Sequence, residues 1–234
     1  MKTTFKIYRF HPESGQKPHY QTFEVEVGRG ETVLDALLEI KGHQDGSLAF
    51  RRSCRSGICG SCAMKINGLN RLACETQVEL LKSRIVTVDP LPGFKVIKDL
   101  AVDLEPFYEK LRRVLPYLIN PDPPPTDKER LQSPEDFRLI EVATSCILCA
   151  SCTSSCPSFW ADKRYLGPAA MVKAYRYEYD TRDEGFGERA EILNSKHGLW
   201  RCHTIMNCND ACPKKIFPTE GISHLKRKVV EERY

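Results

Sequence analysis

The chain of 234 residues has no run of eighteen or more apolar residues, so no segment reads as a membrane-spanning helix. Its opening, Met1-Lys2-Thr3-Thr4-Phe5, has neither the apolar core of a secretory signal nor an Arg- and Ser-rich presequence. The expectation is a cytosolic chain that reaches a membrane only through a partner. No Walker loop, G-x-G-x-x-G fingerprint or nucleophile–base constellation stands in the sequence, which sets aside phosphate cradling, dinucleotide binding and covalent hydrolysis. Low-complexity segments are also missing, and the only repeated pattern is one of cysteines. With 41% hydrophobic and 28% charged residues, the chain can bury real cores, and its length suits two domains.

What the chain does have is cysteine: 11 residues, nearly all in three tight groups. An odd count, no export signal and spacings of two residues argue against disulfides. Inert buried thiols scatter along a sequence and do not cluster. Metal binding is what remains.

Cys54, Cys59 and Cys62 stand as C-x4-C-x2-C, with Cys74 after a longer interval. This is the plant-type spacing for a [2Fe–2S] cluster. Ser53, Ser56, Gly57, Gly60 and Ser61 supply a loop whose backbone N–H groups can turn toward sulfur, and Arg51, Arg52 and Arg55 are placed to offset the cluster's negative charge. A structural zinc site is the competing reading, but zinc prefers paired C-x2–4-C knuckles.

Cys146, Cys149, Cys152 and Cys156-Pro157 form C-x2-C-x2-C-x3-C-P, the two-cluster bacterial run whose fourth Cys ligates the other cluster. A second run must therefore exist. Cys202, Cys208 and Cys212-Pro213 match it in register, with Ile205 where its second cysteine would stand. If Cys212 crosses back, Cys146, Cys149, Cys152 and Cys212 make a full [4Fe–4S] set. Cys156, Cys202 and Cys208 are left with an apolar residue at the fourth corner, which favours [3Fe–4S]. All eleven cysteines are then used. The alternative, a fourth iron carrying water as a Lewis acid, would call for polar neighbours and meets Ile205 instead. The formal charge of +4 treats cysteines as neutral. Each oxidised cluster with its thiolates adds roughly −2, leaving the loaded protein at about −2. No nucleic-acid partner is inferred from the basicity, and Lys226-Arg227-Lys228 reads as the solvated face of a helix.

The organisation around these groups changes near residue 103. Thr3–Phe10 and His19–Val27 predict a hairpin turned at Pro12, Ser14 and Gly15, and Thr32 with Asp35 predicts a capped helix ended by Gly42. Strands are expected at Cys62–Ile66 and Ile85–Val88. Beyond, helices are expected over Asp103–Leu118, Pro134–Ala143, Pro168–Tyr179, Gly187–Leu193 and Ser223–Glu232, with a stiff Pro-rich connector at 120–126. The class is α+β: residues 1–103 a β-rich [2Fe–2S] ferredoxin-like domain, residues 104–234 an all-α two-cluster ferredoxin-like domain. Three one-electron centres without a substrate site describe a wire between partners.

The runs Ser53–Cys62, Cys146–Pro157 and Arg201–Cys208 resemble the iron–sulfur subunit of succinate dehydrogenase and its relative fumarate reductase, over nearly the whole chain. The resemblance implies a β-grasp first domain, a flavoprotein partner carrying FAD, a membrane anchor that often holds haem b, and quinone as acceptor. It also implies a peripheral place on the cytoplasmic face of the inner membrane, held by the anchor. By position it carries quinone-pocket roles to Pro157, His203 and Ile205, with Trp160 on the same loop. For His203 the plain alternative is a helix-end histidine with one backbone bond. Many members have two adjacent tryptophans where this chain has Trp160-Ala161 in a shorter loop, so the pocket is reshaped or Trp160 is an anchor contact. Cys202–Cys208 is more similar to succinate-oxidising members, Asn194–Trp200 to some fumarate reductases. A ferredoxin-like subunit of another dehydrogenase and a purely structural metalloprotein are the readings outside the family.

Overall fold

The computed structural model describes residues 1–233. The chain parts into two compact units, Met1–Leu104 with Ile147–Ser155, and Glu105–Cys146 with the chain from Cys156 onward. The division at residue 103 expected from composition is continuous along the chain. These units are not, because the Ile147–Ser155 loop packs with the first.

In the first unit, β1 (Lys2–Arg9) and β2 (His19–Glu26) pair antiparallel with Phe5 opposite Phe23. Alternation sends Phe5, Ile7, Phe23 and Val25 into the core. α1 (Val33–Glu39) starts with the expected capping box: Thr32 Oγ1 accepts from Asp35 N at 3.3 Å, and Asp35 Oδ2 accepts from Thr32 N at 2.9 Å. Gly42 does not end the helix. The backbone widens into a π-turn at Ile40–Gln44, closed by Asp45 N donating to Ile40 O at 2.8 Å, with Ile40 fully buried. β3 (Ala63–Ile66), β4 (Leu69–Leu72) and β5 (Ile85–Asp89) complete a mixed sheet of order β2-β1-β5-β3-β4, with β5 parallel to β1 and antiparallel to β3. Val33, Leu34 and Leu37 of α1 share one core with the strands. That is the expected α+β arrangement of a sheet grasping a helix. A separate hairpin, β6 (Val96–Lys98) and β7 (Ala101–Val102), was not legible in the sequence.

The second unit is helical: α2 (Glu105–Arg113), α3 (Pro134–Thr144), α5 (Pro157–Ala161), α6 (Pro168–Glu178), α7 (Phe186–Leu193), α8 (Asn207–Asp210) and α9 (Pro218–Arg233). The single turn α4 (Ser151–Ser154) lies in the loop that packs with the first unit. α2 stops well short of Leu118, and Leu115 just beyond it has a left-handed backbone at φ 49°. α9 begins at Pro218, five residues ahead of expectation, because proline suits the first helical position. Lys226 and Lys228 do not form a solvated face. Their ammonium groups donate to Cys202 O at 3.0 Å and Glu178 O at 2.7 Å.

α6 packs against α3 and α9, and Tyr175 Oη donates to Leu139 O at 2.8 Å. A buried cation ties the rest. Arg189 on α7 is 0% exposed. It donates through Nη1 and Nη2 to Asp183 at 2.6 and 3.0 Å, and through Nη1 to Glu178 Oε1 at 3.2 Å. Nε and Nη2 also meet the carbonyls of Leu115 and Tyr117 at 3.1 and 2.6 Å. Removing one partner of such a network strands the others without water. Arg189→Met is therefore expected to cost the full chain about 3–5 kcal/mol, read by denaturant unfolding with Trp160 and Trp200 fluorescence. A loss under about 1 kcal/mol, the value of an exposed pair, would show the network to be dispensable.

Candidate iron–sulfur centres

The first cysteine group lies on a loop built from left-handed residues. Arg55, Gly57 and Gly60 have φ of 60°, 71° and 71°, which turns successive N–H groups inward. Cys54 Sγ accepts from the backbone of Ser56, Ile58 and Cys59 at 3.4, 3.3 and 3.2 Å. Cys59 Sγ accepts from Cys54 N at 3.4 Å, and Cys74 Sγ from Gly57 N at 3.3 Å. These donors, Ser56 first, hold the exposed Cys54 thiol down to about 6. Cys62 is the opposite case. Burial pushes it up to about 12, against the N–H groups of Cys74 and Ala73. The loop thus grades from exposed Cys54 to buried Cys62 and Cys74. Arg51, Arg52 and Arg55 are all exposed; Arg51 Nη2 is committed to Val102 O at 3.1 Å.

Cys149 and Cys152 are in the first unit, whereas Cys146 and Cys212 are in the second. Asn70 Nδ2 donates to Ser151 O at 3.0 Å and Ser154 Oγ to Pro92 O at 2.7 Å, fixing the loop that carries Cys149 and Cys152. In the second unit, Cys146 and Cys212 border an apolar group of Ala143, Val172 and Ile216.

The two C-terminal runs share a backbone as well as a spacing. In the first, Leu148 and Ala150 are left-handed at φ 54° and 64°, and α4 follows at Ser151. In the second, Thr204 and Met206 are left-handed at φ 56° and 70°, and α8 follows at Asn207. Counted from Cys146 and from Cys202, these features fall on the same positions. Ile205 therefore occupies the conformational place of Cys149.

Cys156, Cys202 and Cys208 come together in the second unit. Cys208 is buried and pushed up to about 12, by desolvation first and then by Cys156 and Cys202. Burial also raises Cys156, against the N–H groups of Phe159 and Ser158 at the start of α5 and the Ser158 hydroxyl. Among the described residues, no three His, Cys, Asp or Glu side chains gather tightly enough for a single ion. A cluster spreads its thiolates over several irons.

The four residues carried over to a quinone pocket flank this trio. Pro157 opens α5 directly after Cys156, and Trp160 is 47% exposed on the same helix. Ile205 is 49% exposed, and His203 lies exposed before α8, directly after the Cys202 cap of the 3-10 turn Leu199–Arg201. Tyr165 and Ser158 went unnoticed in the sequence. Tyr165 is fully buried, its hydroxyl has no protein partner in good hydrogen-bond geometry, and the sulfurs of Cys202, Cys156 and Cys208 act on it, Cys202 most strongly. That is the environment of a donor to cluster sulfur, so these residues fit the group.

Comparison with known proteins decides the family. Residues 4–109 match the model of a 2Fe-2S iron–sulfur cluster binding domain, and residues 142–216 that of a 4Fe-4S dicluster domain. The chain is 48% identical over 229 residues to the succinate dehydrogenase iron–sulfur subunit of Paracoccus denitrificans, covering 97% of this chain and 88% of the relative. It is 46% identical over 229 residues to the mitochondrial succinate dehydrogenase [ubiquinone] iron–sulfur subunit of Candida glabrata, covering 97% and 90%. The chain belongs to the succinate dehydrogenase iron–sulfur subunit family. A chain of the Mycobacterium smegmatis Sdh1 complex in the apo form is similar across the whole length, with a TM-score of 0.86 at 28% identity, covering 100% of this chain and 97% of that one.

Family membership places weight on the glycines of the first loop. A Cβ on Gly60 would stand 2.8 Å from Cys149 Cβ and 2.9 Å from its Cα, at a φ of +71°. Overpacking against backbone costs about 1–3 kcal/mol, and the left-handed penalty about 1–2 kcal/mol. Gly60→Ala is expected to lower the thermal midpoint and the iron content of the purified subunit. Gly57→Ala carries the same left-handed penalty, but its new atom meets first the exposed side chain of Glu75, and it is expected to lose less. Equal losses would refute the close approach at Gly60.

Proposed function

We propose that this chain is the electron-carrying subunit of a succinate:quinone oxidoreductase. It takes electrons from the FAD of a flavoprotein partner and delivers them toward quinone at a membrane anchor. Succinate dehydrogenase names on relatives at 46–48% identity support that direction. Among the described residues, no helix is long and apolar enough to cross a membrane, so a partner supplies the span. The peripheral position is proposed to be on the cytoplasmic face of the inner membrane.

The ligand assignment follows chain order and register. Cys54, Cys59, Cys62 and Cys74 hold [2Fe–2S]; Cys146, Cys149, Cys152 and Cys212 hold [4Fe–4S]; Cys156, Cys202 and Cys208 hold [3Fe–4S]. Residues 1–103 and 104–234 are proposed to serve as the two functional domains. The clusters, when bound, supply one-electron carriers. The residues supply the rest: the N–H groups of Ser56, Gly57, Ile58 and Cys59 stabilise negative sulfur, and burial excludes water from Cys62 and Cys208. Pro157, Trp160, His203 and Ile205 are proposed to meet quinone beside the last centre. The observation that carries this reading is the shared backbone of the two runs, which puts an isoleucine in the place of a ligand.

Low-temperature EPR of the purified complex tests it. A [3Fe–4S] signal is expected in the oxidised protein and a [2Fe–2S] signal after reduction, with succinate driving reduction of ubiquinone or menaquinone analogues. No oxidised signal would sink the three-cysteine assignment. Ile205→Cys is expected to supply the missing thiolate, convert [3Fe–4S] to [4Fe–4S], lower its potential and slow quinone reduction. An unchanged oxidised EPR signal in that variant would overturn the register.

A further inference from the structure

A buried hydroxyl without a protein acceptor is rare, because leaving it unsatisfied costs about 1–3 kcal/mol. Tyr165 is such a case, 0% exposed and without a partner for its Oη. Its backbone is held on both sides: Tyr165 N donates to Asp162 O at 3.1 Å, and Leu166 N to His197 O at 3.0 Å. Asp162 is fixed in turn by His197 Nδ1 at 2.9 Å. The ring therefore sits in a braced loop between α5 and α6. The sulfurs of Cys202, Cys156 and Cys208 lie near enough to act on its hydroxyl electrostatically. A phenol keeps its proton near neutral pH, so the group is a donor.

We infer that Tyr165 is a positioning and tuning residue for the last one-electron centre, its hydroxyl donating a hydrogen bond to sulfur at the Cys156–Cys202–Cys208 site. The inference rests on the ligand assignment proposed above. Its physical consequence has a definite sign. A donor aimed at sulfur favours the more negative, reduced form, so it raises the reduction potential of that centre. The trio has need of such a donor, because burial disfavours every negative charge placed there. Charge-assisted hydrogen bonds are the stronger class, and removal of one is expected to shift the reduced-to-oxidised ratio about tenfold at a fixed potential, about 59 mV for one electron.

Tyr165→Phe keeps the ring and deletes only the unpartnered oxygen, so the core should remain filled. In the assembled complex, an EPR-monitored redox titration is expected to show the [3Fe–4S] signal at full intensity with its midpoint lowered by that amount. The [2Fe–2S] midpoint, in the other unit, should stay in place. An unmoved [3Fe–4S] midpoint, or equal shifts at both centres, would overturn the inference and leave Tyr165 as packing. A wild-type complex without the oxidised signal would instead bring down the ligand assignment and this inference with it. Independently of any variant, electron–nuclear double resonance on wild-type protein prepared in heavy water should lose a proton strongly coupled to the oxidised centre. The absence of any such exchangeable proton would also refute the role.

Discussion

The constraint behind both units is the cost of negative sulfur out of water. Burial first, and the neighbouring cysteines after it, push the Cys62 and Cys208 thiols up to about 12, and a thiol does not ligate iron. The structure answers in two ways. It turns peptide N–H groups onto sulfur by placing residues in the left-handed region, and it leaves some ligands exposed. Cys54, exposed and surrounded by three peptide donors, shows how far the first device reaches, since its thiol is held down to about 6. Metal binding and folding are therefore coupled, because only iron and donors together make the buried thiolates stable.

That requirement explains which parts of the fold the sequence disclosed. The hairpin of β1 and β2 was legible because alternation over eight residues admits one register, and the capping box at Thr32 and Asp35 was legible because it is local. β4 has only four residues, and its Asn70 is buried for a reason outside the strand, the bond to Ser151 O eighty-one positions away. Gly42 misled for a similar cause. A helix signal ends there, yet Ile40 is drawn into the core and Arg9 gathers Asp45, Asp99 and Ser47 beyond it. Long-range partners of this kind leave no periodic mark.

The cluster loops were legible in a different sense. Spacing fixed the groups of cysteines and exposed the odd member, Ile205, without any knowledge of backbone angles. Nothing in the letters announced that Leu148, Ala150, Thr204 and Met206 would all be left-handed. Leucine, alanine, threonine and methionine are poor residues for that region, and each one there costs roughly 1–2 kcal/mol. Strain of this kind in two matched positions of two runs argues that the cage, and not local preference, dictates the loop.

The same logic separates the two ends of the wire. At the first centre, donors come from five peptide contacts on one tightly bonded loop, and one cysteine faces solvent. Around the proposed Cys156–Cys202–Cys208 centre no cysteine is exposed, Cys208 being buried and the other two half-buried, and the Tyr165 hydroxyl is buried beside them. An electron arriving there gains from a protein dipole held in place beside the sulfurs. A tyrosine is suited to that task in a way that a lysine is not: it supplies one donor without a charge that would itself need solvating. A wire whose last station must hold the electron long enough for quinone to collect it gains from a donor that neither moves nor titrates. That is why the phenol's isolation, a defect in an ordinary core, is consistent with function here.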